Sequence, residues 1–237
     1  MKPIILLILF CCLGFTNSVN AQTAEDYLIS GNAKYVLKDY IGSIKDYNKA
    51  IEINPKYADA YYDLGSAKTA LKDYKGAIQD YSKAIEINPQ LDIAYANRGV
   101  MKGFLKDYKG AIQDYNKAIE INPLLAIAYL NRGGAKTILD DYKGSIEDFN
   151  KLIELDPKNA NAYFARGLAK YIHDDYKGAV EDFNKLIELD PKNSNAYYYR
   201  GQTKILNGDK SGGCSDLNKA KELGSTEAID EIKQNCK

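Results

Sequence analysis

The sequence predicts an all-α fold of six helix-turn-helix repeats, because its residues recur with one period over nearly the whole chain. From Ala24 onwards the 237-residue chain aligns with itself every 34 positions without a gap. The six rows are 24–57, 58–91, 92–125, 126–159, 160–193 and 194–227. Tyrosine at position 4, glycine at position 8 and lysine at position 11 occur in every row. A fixed period of this length indicates a stacked repeat architecture.

Each row contains two helical stretches. In the second row Tyr61, Leu64 and Lys68 recur at three- and four-residue spacing, and after a short turn the same spacing separates Ala77 from Tyr81. This is the period of a helix rather than the alternation of a strand. Proline at position 32 follows in five rows and ends the second helix. One such hairpin cannot bury its own apolar face, whereas stacked copies can.

The first 21 residues have the pattern of a secretory signal. Lys2 is their one charged residue, and residues 4–13 form an apolar run shorter than the ~20 residues that span a bilayer. Small residues at Val19 and Ala21 predict cleavage after Ala21, which leaves residues 22–237 without a membrane span. An uncleaved anchor is the alternative, and the short run argues against it. We therefore expect a periplasmic or secreted protein.

Charge and composition exclude several classes of function. The full chain has a formal net charge of zero, and residues 22–237 carry 31 basic and 32 acidic residues, a net of −1. A neutral chain lacks the basic patch that nucleic acid or an anionic membrane requires. The one histidine, His173, sits between two helices beside Asp174 and Asp175, where it is expected to be solvated. Without a candidate nucleophile, phosphate loop or metal set, we expect no enzyme, no metal site and no cofactor.

Charged residues also repeat along the array. Aspartate stands at position 23 in all six rows and arginine at position 7 in the last four. One interpretation is a track for a charged ligand. The other is a ladder of partly buried ion pairs that holds neighbouring helices in register. We favour the ladder, because these residues repeat together with the core.

With aromatic residues at positions 4 and 24, small residues at 8 and 20, alanine at 27 and proline at 32, the rows resemble the tetratricopeptide repeat. The resemblance covers residues 24 to about 227. It implies a right-handed superhelical array, an α-solenoid, that binds other proteins. This chain departs from the family in its constant lysine at position 11 and in Leu152 and Leu186 at position 27.

The resemblance also implies that the first helices line a concave groove, mainly through positions 2, 5, 9 and 12. Here most residues at positions 5, 9 and 12 are apolar or aromatic, with small residues in rows three and four. The candidate partner-binding residues are Tyr35, Tyr62, Leu130, Phe164, Leu168, Tyr171, Tyr198 and Gln202. Exposed aromatic side chains are good anchors for a partner peptide or helix. The alternative is that some of these rings pack on their own neighbours.

The chain after row six predicts a capping helix over about residues 226–236. Ser225 is placed to cap it, and one of its faces carries Ala228, Ile232 and Cys236. Cys214 stands at a position that is isoleucine or valine in the other rows, so both sulfurs are expected in one interface. We predict a disulfide between Cys214 and Cys236; the alternative is two small buried apolar side chains.

These observations together predict a non-catalytic adaptor that binds a protein or peptide partner in its groove, with nucleic acid excluded as a partner. The alternative is a structural role, in which the array packs on copies of itself or within an envelope complex. The sequence does not name the partner.

Overall fold

A computed structural model describes residues 22–236, and within that range the chain forms thirteen α-helices and no strand. The predicted signal segment 1–21 and its cleavage site lie outside the described residues. The helices are α1 Ala24–Val36, α2 Tyr40–Ile53, α3 Ala58–Ala70, α4 Tyr74–Ile87, α5 Asp92–Phe104, α6 Tyr108–Ile121, α7 Ala126–Ile138, α8 Tyr142–Leu155, α9 Ala160–Ile172, α10 Tyr176–Leu189, α11 Ser194–Leu206, α12 Lys210–Glu222 and α13 Glu227–Asn235. The predicted fold of six tandem helix hairpins followed by a cap is confirmed.

Every second helix begins at the same capping interaction. Asp73 precedes α4, and its Oδ1 accepts a hydrogen bond from the Gly76 N–H at 3.0 Å. The equivalent N-cap aspartates are Asp39, Asp107, Asp141, Asp175 and Asp209. An aspartate in this place satisfies a backbone donor that the helix leaves free. The acidic pairs 140–141 and 174–175 are therefore turn and cap residues.

The residue before each of these caps has a left-handed backbone. At position 15 of the rows, φ is 62° for Lys38 and Lys72, 63° for Lys106, 61° for Asp140 and 60° for Asp174. The sixth row has Gly208 there, with φ of 91°. Only glycine adopts this region without a steric cost. Five rows therefore hold a strained residue at the tightest point of the hairpin, which the sequence analysis did not anticipate.

Close packing at position 8 joins the two helices of each hairpin. A Cβ atom added to Gly65 would lie 2.8 Å from Cε1 of Tyr81, and one added to Gly133 would lie 2.7 Å from Cε1 of Phe149. Both rings are almost fully buried. Glycine is therefore required where the aromatic ring of position 24 crosses the first helix.

Arginine at position 7 links two repeats. Arg98 donates from Nε to Asp114 Oδ2 at 3.0 Å, from Nη2 to Asp114 Oδ1 at 2.7 Å, and from Nη1 to Ser82 Oγ of the preceding repeat at 3.0 Å. Its guanidinium also lies 5.5 Å from the ring centre of Tyr95. The arrangement recurs as Arg132 with Asp148 and Asn116, Arg166 with Asp182 and Asn150, and Arg200 with Asp216 and Asn184. The ion-pair ladder is confirmed, and its charges are engaged inside the array.

The last helix covers the C-terminal end of the stack. Ala228 and Ile232 of α13 pack on Leu217 and Ala220 of α12, where a seventh repeat would otherwise stand. The Oγ of Ser225 accepts a hydrogen bond from the N–H of Ala228 at 3.3 Å, so it caps α13 as predicted. None of the helices in residues 22–236 combines the length and the hydropathy needed to cross a membrane.

Candidate functional site: a groove along the first helices

The first helices of adjacent repeats lie side by side and form one continuous face. Contacts join α1 with α3, α5 with α7, α7 with α9, and α9 with α11. All eight candidate groove residues stand on these helices, and each is half-buried. Half-burial leaves part of each side chain open to a partner while the rest is held by the array. The face is interrupted by cavities at its centre and towards each end.

One central cavity lies beneath Tyr62, between α3 and α5. Its volume is about 350 Å³. The Tyr62 hydroxyl accepts a hydrogen bond from Asn97 Nδ2 at 3.1 Å, and its ring lies 5.7 Å from that of Tyr81. The Tyr81 hydroxyl lies 3.3 Å from the hydroxyl oxygens of both Ser66 and Thr69. This part of the groove therefore offers aromatic surface whose polar atoms are already paired.

The next cavity lies between α5 and α7, and its volume is also about 350 Å³. A Cβ atom added to Gly103 or to Gly134 would meet no atom within 4 Å, so the space exists because both residues lack a side chain. Leu130, one of the candidate residues, forms part of the wall. Phe104 and Ile138 stand at its edge with 60% and 58% of their surface exposed. The two glycines, Gly103 of row three and Gly134 of row four, thus produce a mainly apolar depression.

Aromatic packing fills the groove in rows five and six. The ring of Tyr199 lies 5.6 Å from that of Phe164, 6.3 Å from that of Tyr171 and 6.1 Å from that of Phe183. Phe164 and Tyr171 are candidate residues, so their rings pack partly on neighbours within the chain. Tyr199 stands at position 6, which the sequence analysis did not consider. The run of three tyrosines at 197–199 is the sequence feature that could have indicated this aromatic packing.

Two further candidates contact the cap. Gln202 donates from Nε2 to the Tyr198 hydroxyl at 3.0 Å and to Glu231 Oε1 of α13 at 2.6 Å. The Tyr198 ring packs against the cluster that α13 closes. These two residues therefore stand where the groove meets the capping helix. Leu168 is half-buried on α9, between these residues and the central cavities.

At the other end of the groove a carboxyl group is partly buried. Asp63 lines a cavity of about 230 Å³ together with Asn32, Tyr35 and Tyr47. Burial raises the pKa of Asp63 to about 6, and a hydrogen bond with the Asn32 side chain opposes the shift only in part. The Tyr47 hydroxyl donates to Asn32 Oδ1 at 2.7 Å. A single aspartate in one row has no periodic signal, so the sequence analysis missed it.

Two cysteines meet at the cap. The structure places the sulfur atoms of Cys214 and Cys236 at disulfide distance, with the Cα atoms 5.6 Å apart. This separation lies in the ordinary range for a disulfide. The pair joins α12 to the residue that ends α13.

Little in the described residues suggests bond-making chemistry. His173 is exposed at the end of α9, where its ring stacks on that of Tyr142 with centres 5.6 Å apart. Within residues 22–236 no group of three or more His, Cys, Asp or Glu side chains is placed to hold a metal ion.

Tandem helix hairpins with a groove along their first helices define the class of α-solenoid repeat proteins. Three models described as tetratricopeptide repeat match residues 58–91 with 93–123, 160–193 and 183–212, and a fourth described as TPR repeat matches residues 31–72 and 133–174. The chain belongs to the tetratricopeptide repeat family.

Solved structures share this architecture. YrrB, a TPR protein with an unusual peptide-binding site, is 22% identical with a TM-score of 0.71, over 79% of this chain and 97% of its own. PilF of Pseudomonas aeruginosa is 19% identical with a TM-score of 0.73, over 89% and 97%. MamA is 24% identical with a TM-score of 0.67, over 73% and 94%. At these identities the likeness shows the fold. No functionally curated protein matches the chain.

Proposed function

We propose that this protein is a non-catalytic adaptor that binds a segment of a partner protein in its concave groove. The observation that carries the proposal is the contrast between the two kinds of side chain on the first helices. Arginine and lysine at positions 7 and 11 are engaged with buried aspartates, as Arg98 and Lys102 are with Asp114. Most residues at positions 5, 9 and 12 are instead apolar or aromatic and half-buried, and they lie beside open cavities.

The chemistry of this surface favours a protein segment as the occupant. A few side chains, most often of Trp, Tyr and Arg, supply most of the binding energy at protein interfaces, where they lie in well-packed, desolvated pockets. The groove is long and divided, which suits an extended or helical segment with several side-chain anchors. The structurally similar YrrB is a TPR protein with a peptide-binding site, and the same class of ligand is proposed here.

The proposed location is the periplasm or the cell exterior. Two observations support it: the signal-like pattern of residues 1–21 and the approach of Cys214 to Cys236. Disulfides persist in oxidising compartments and are rare in reducing ones. Fractionation of cells that produce the full chain tests this proposal. Recovery from the cytoplasm with residues 1–21 still attached would contradict it.

Binding is tested with peptides selected from a random display library on residues 22–237. Replacing Tyr62, Leu130 and Leu168 with alanine removes groove surface from three repeats. The matched control replaces Gln79, Gln113 and Glu147, exposed residues of second helices, with alanine. Isothermal titration calorimetry is expected to show weaker binding only for the groove variant, with both variants equally helical by circular dichroism. Equal affinities of the two variants would contradict the proposal.

A second candidate is assembly of the array with copies of itself. Its support is the N-terminal end of the stack, where Val36 and Leu37 are each 79% exposed and Ile41 is 63% exposed. Large apolar side chains grouped on an end face are a feature of association surfaces. Size-exclusion chromatography with light scattering distinguishes the two, since a monomer over a wide concentration range argues against self-assembly.

A further inference from the structure

One tyrosine of the array has a buried ring, and its hydroxyl has no hydrogen-bond partner among residues 22–236. Tyr115 is the position 24 ring of the third repeat and is 3% exposed. Its two tyrosine equivalents are both paired: the Tyr47 hydroxyl donates to Asn32 at 2.7 Å, and the Tyr81 hydroxyl lies 3.3 Å from the Ser66 hydroxyl. The Tyr115 oxygen itself is not closed off from solvent, so water can hydrogen-bond to it in the free protein. The third repeat therefore has a hydroxyl that faces the groove without a partner inside the chain.

The reason lies in the first helix of the same repeat. Partners of the other two hydroxyls stand at positions 9 and 12, which in row three are Val100 and Gly103. Neither side chain has an atom that can hydrogen-bond. Tyr115, Val100 and Gly103 all line the cavity between α5 and α7. The hydroxyl is thus a polar group at the floor of that cavity.

The rest of the lining is mainly apolar, with Asn131 and Tyr108 as its other polar residues. Leu130, Phe104 and Ile138 form its sides, and none of its lining residues is charged. Its volume of about 350 Å³ is larger than the roughly 150 Å³ cavity that holds a benzene molecule in an engineered protein. Gly103 and Gly134 keep it open, because each stands inside a helix where a Cβ atom would meet nothing within 4 Å.

We propose that this cavity is the anchoring site for a tyrosine side chain of the partner segment, which specifies the ligand of the proposed groove function and rests on it. The ring of an incoming tyrosine fills the apolar walls, and its hydroxyl pairs with that of Tyr115. A phenylalanine leaves the Tyr115 hydroxyl unpaired. A charged side chain enters without a countercharge, which is costly in an apolar site.

The test uses the tyrosine side chain itself as the probe. p-Cresol carries the phenol group, and toluene is the matching phenylalanine side chain. Nuclear magnetic resonance of ¹⁵N-labelled residues 22–237 follows the amide signals of Gly103 and Gly134, which report on the two open sides of the cavity. We expect p-cresol to shift both signals with a dissociation constant several-fold lower than that of toluene. Unshifted glycine signals at the solubility limit of p-cresol would overturn the proposal.

Two variants separate the hydroxyl from the cavity. Tyr115→Phe removes the unpaired hydroxyl, so we expect unchanged thermal stability and about fivefold weaker binding of p-cresol, equal to that of toluene. At Gly134 an added Cβ atom meets nothing within 4 Å, so Gly134→Leu places a side chain in the open space, and we expect a folded protein that binds neither probe. The matched control is Tyr81→Phe, which removes a paired hydroxyl; its expected effect is lower thermal stability with p-cresol binding unchanged.

The outcomes distinguish this proposal from the proposed function. If selected peptides bind the groove but p-cresol and toluene bind equally, or Gly134→Leu leaves p-cresol binding intact, the tyrosine anchor is wrong and the adaptor function stands. If p-cresol binds as expected but no selected peptide is affected by the groove substitutions, the cavity recognises a phenol and the adaptor function is wrong.

Discussion

Arg98 holds Asp114 by two hydrogen bonds, from Nε to Oδ2 at 3.0 Å and from Nη2 to Oδ1 at 2.7 Å. The carboxylate is 4% exposed, and Lys102 lies 2.8 Å from its second oxygen. A buried ion pair adds little net stability against an apolar pair, but loss of one partner leaves an expensive charge behind. In the last four repeats an arginine and a lysine together balance the charge of the buried aspartate.

Replacing Arg98 with alanine is therefore expected to destabilise the array. Because Lys102 still faces Asp114, we expect a loss of about 2 kcal/mol, below the roughly 3–5 kcal/mol of a fully unpaired buried charge. Urea denaturation followed by circular dichroism measures it. The control is Lys49→Ala, which breaks an exposed pair with Glu52 and is expected to change stability far less. Equal losses in the two variants would contradict the ladder's structural role.

The left-handed turn predicts a reciprocal pair of substitutions. Lys72 has φ of 62° and Gly208 has φ of 91° at the same position of their rows. Lys72→Gly is expected to stabilise by about 1 kcal/mol, because glycine relieves the steric cost of this region. Gly208→Lys is expected to destabilise by a similar amount. Thermal unfolding midpoints check both, and shifts of the same sign in the two variants would show that backbone strain does not govern this position.

Asp63 predicts an unusual dependence of stability on pH. Its folded pKa of about 6 lies above the ordinary value of 3.8, so the folded state binds the proton more tightly than the unfolded state. The contribution of the protonated Asp63 carboxyl to the free energy of unfolding is then fully present below about pH 4, and it is lost as the pH rises through about 6. Asp63→Asn is expected to be more stable than the parent at neutral pH, by about 1 kcal/mol after allowance for solvent contact, and no more stable below about pH 4.

The measurement is urea denaturation across that pH range. Glu147→Gln, which changes an exposed carboxylate on α8, is the control. A difference between parent and Asp63→Asn that does not vary with pH would refute the assignment of a raised pKa to Asp63.

The cysteine pair predicts a local effect at the cap. A disulfide between Cys214 and Cys236 closes a loop of 22 residues, for which a contribution of roughly 3 kcal/mol is expected. Replacing both cysteines with serine is expected to speed hydrogen exchange in α12 and α13 and leave α1–α8 unchanged, because repeats interact mainly with their neighbours. Thiol titration of the unreduced, denatured protein should find no free thiol. Two reactive thiols would rule out the bond.

The periodic features of this protein were predictable from its sequence. Glycine at position 8 and the ring at position 24 recur in register, and the contact between Gly65 and Tyr81 follows from that register. The same holds for the arginine and aspartate of the ladder. In each case the same contact recurs from repeat to repeat, so it leaves a periodic pattern of residues in the sequence.

Features that occur in one row only were not predictable. The unpaired hydroxyl of Tyr115 depends on the residues that happen to face it, and the packing around Tyr199 depends on rings from three helices. Lysine at a left-handed position gives no signal either, because its side chain has no preference for that backbone. The contact between Tyr198 and the cluster closed by α13 could be recognised only once the position of the capping helix was known. These are tertiary relationships that a row-by-row comparison does not contain.

The central claim is that a partner segment lies along the first helices of the repeats. The most direct measurement is photo-crosslinking of a selected peptide that carries a benzophenone side chain, followed by mass spectrometry of the adduct. The account predicts adducts on α3, α5, α7 and α9, and their loss when an unlabelled copy of the peptide is present in excess. Adducts confined to the second helices α4, α6 and α8 would contradict it.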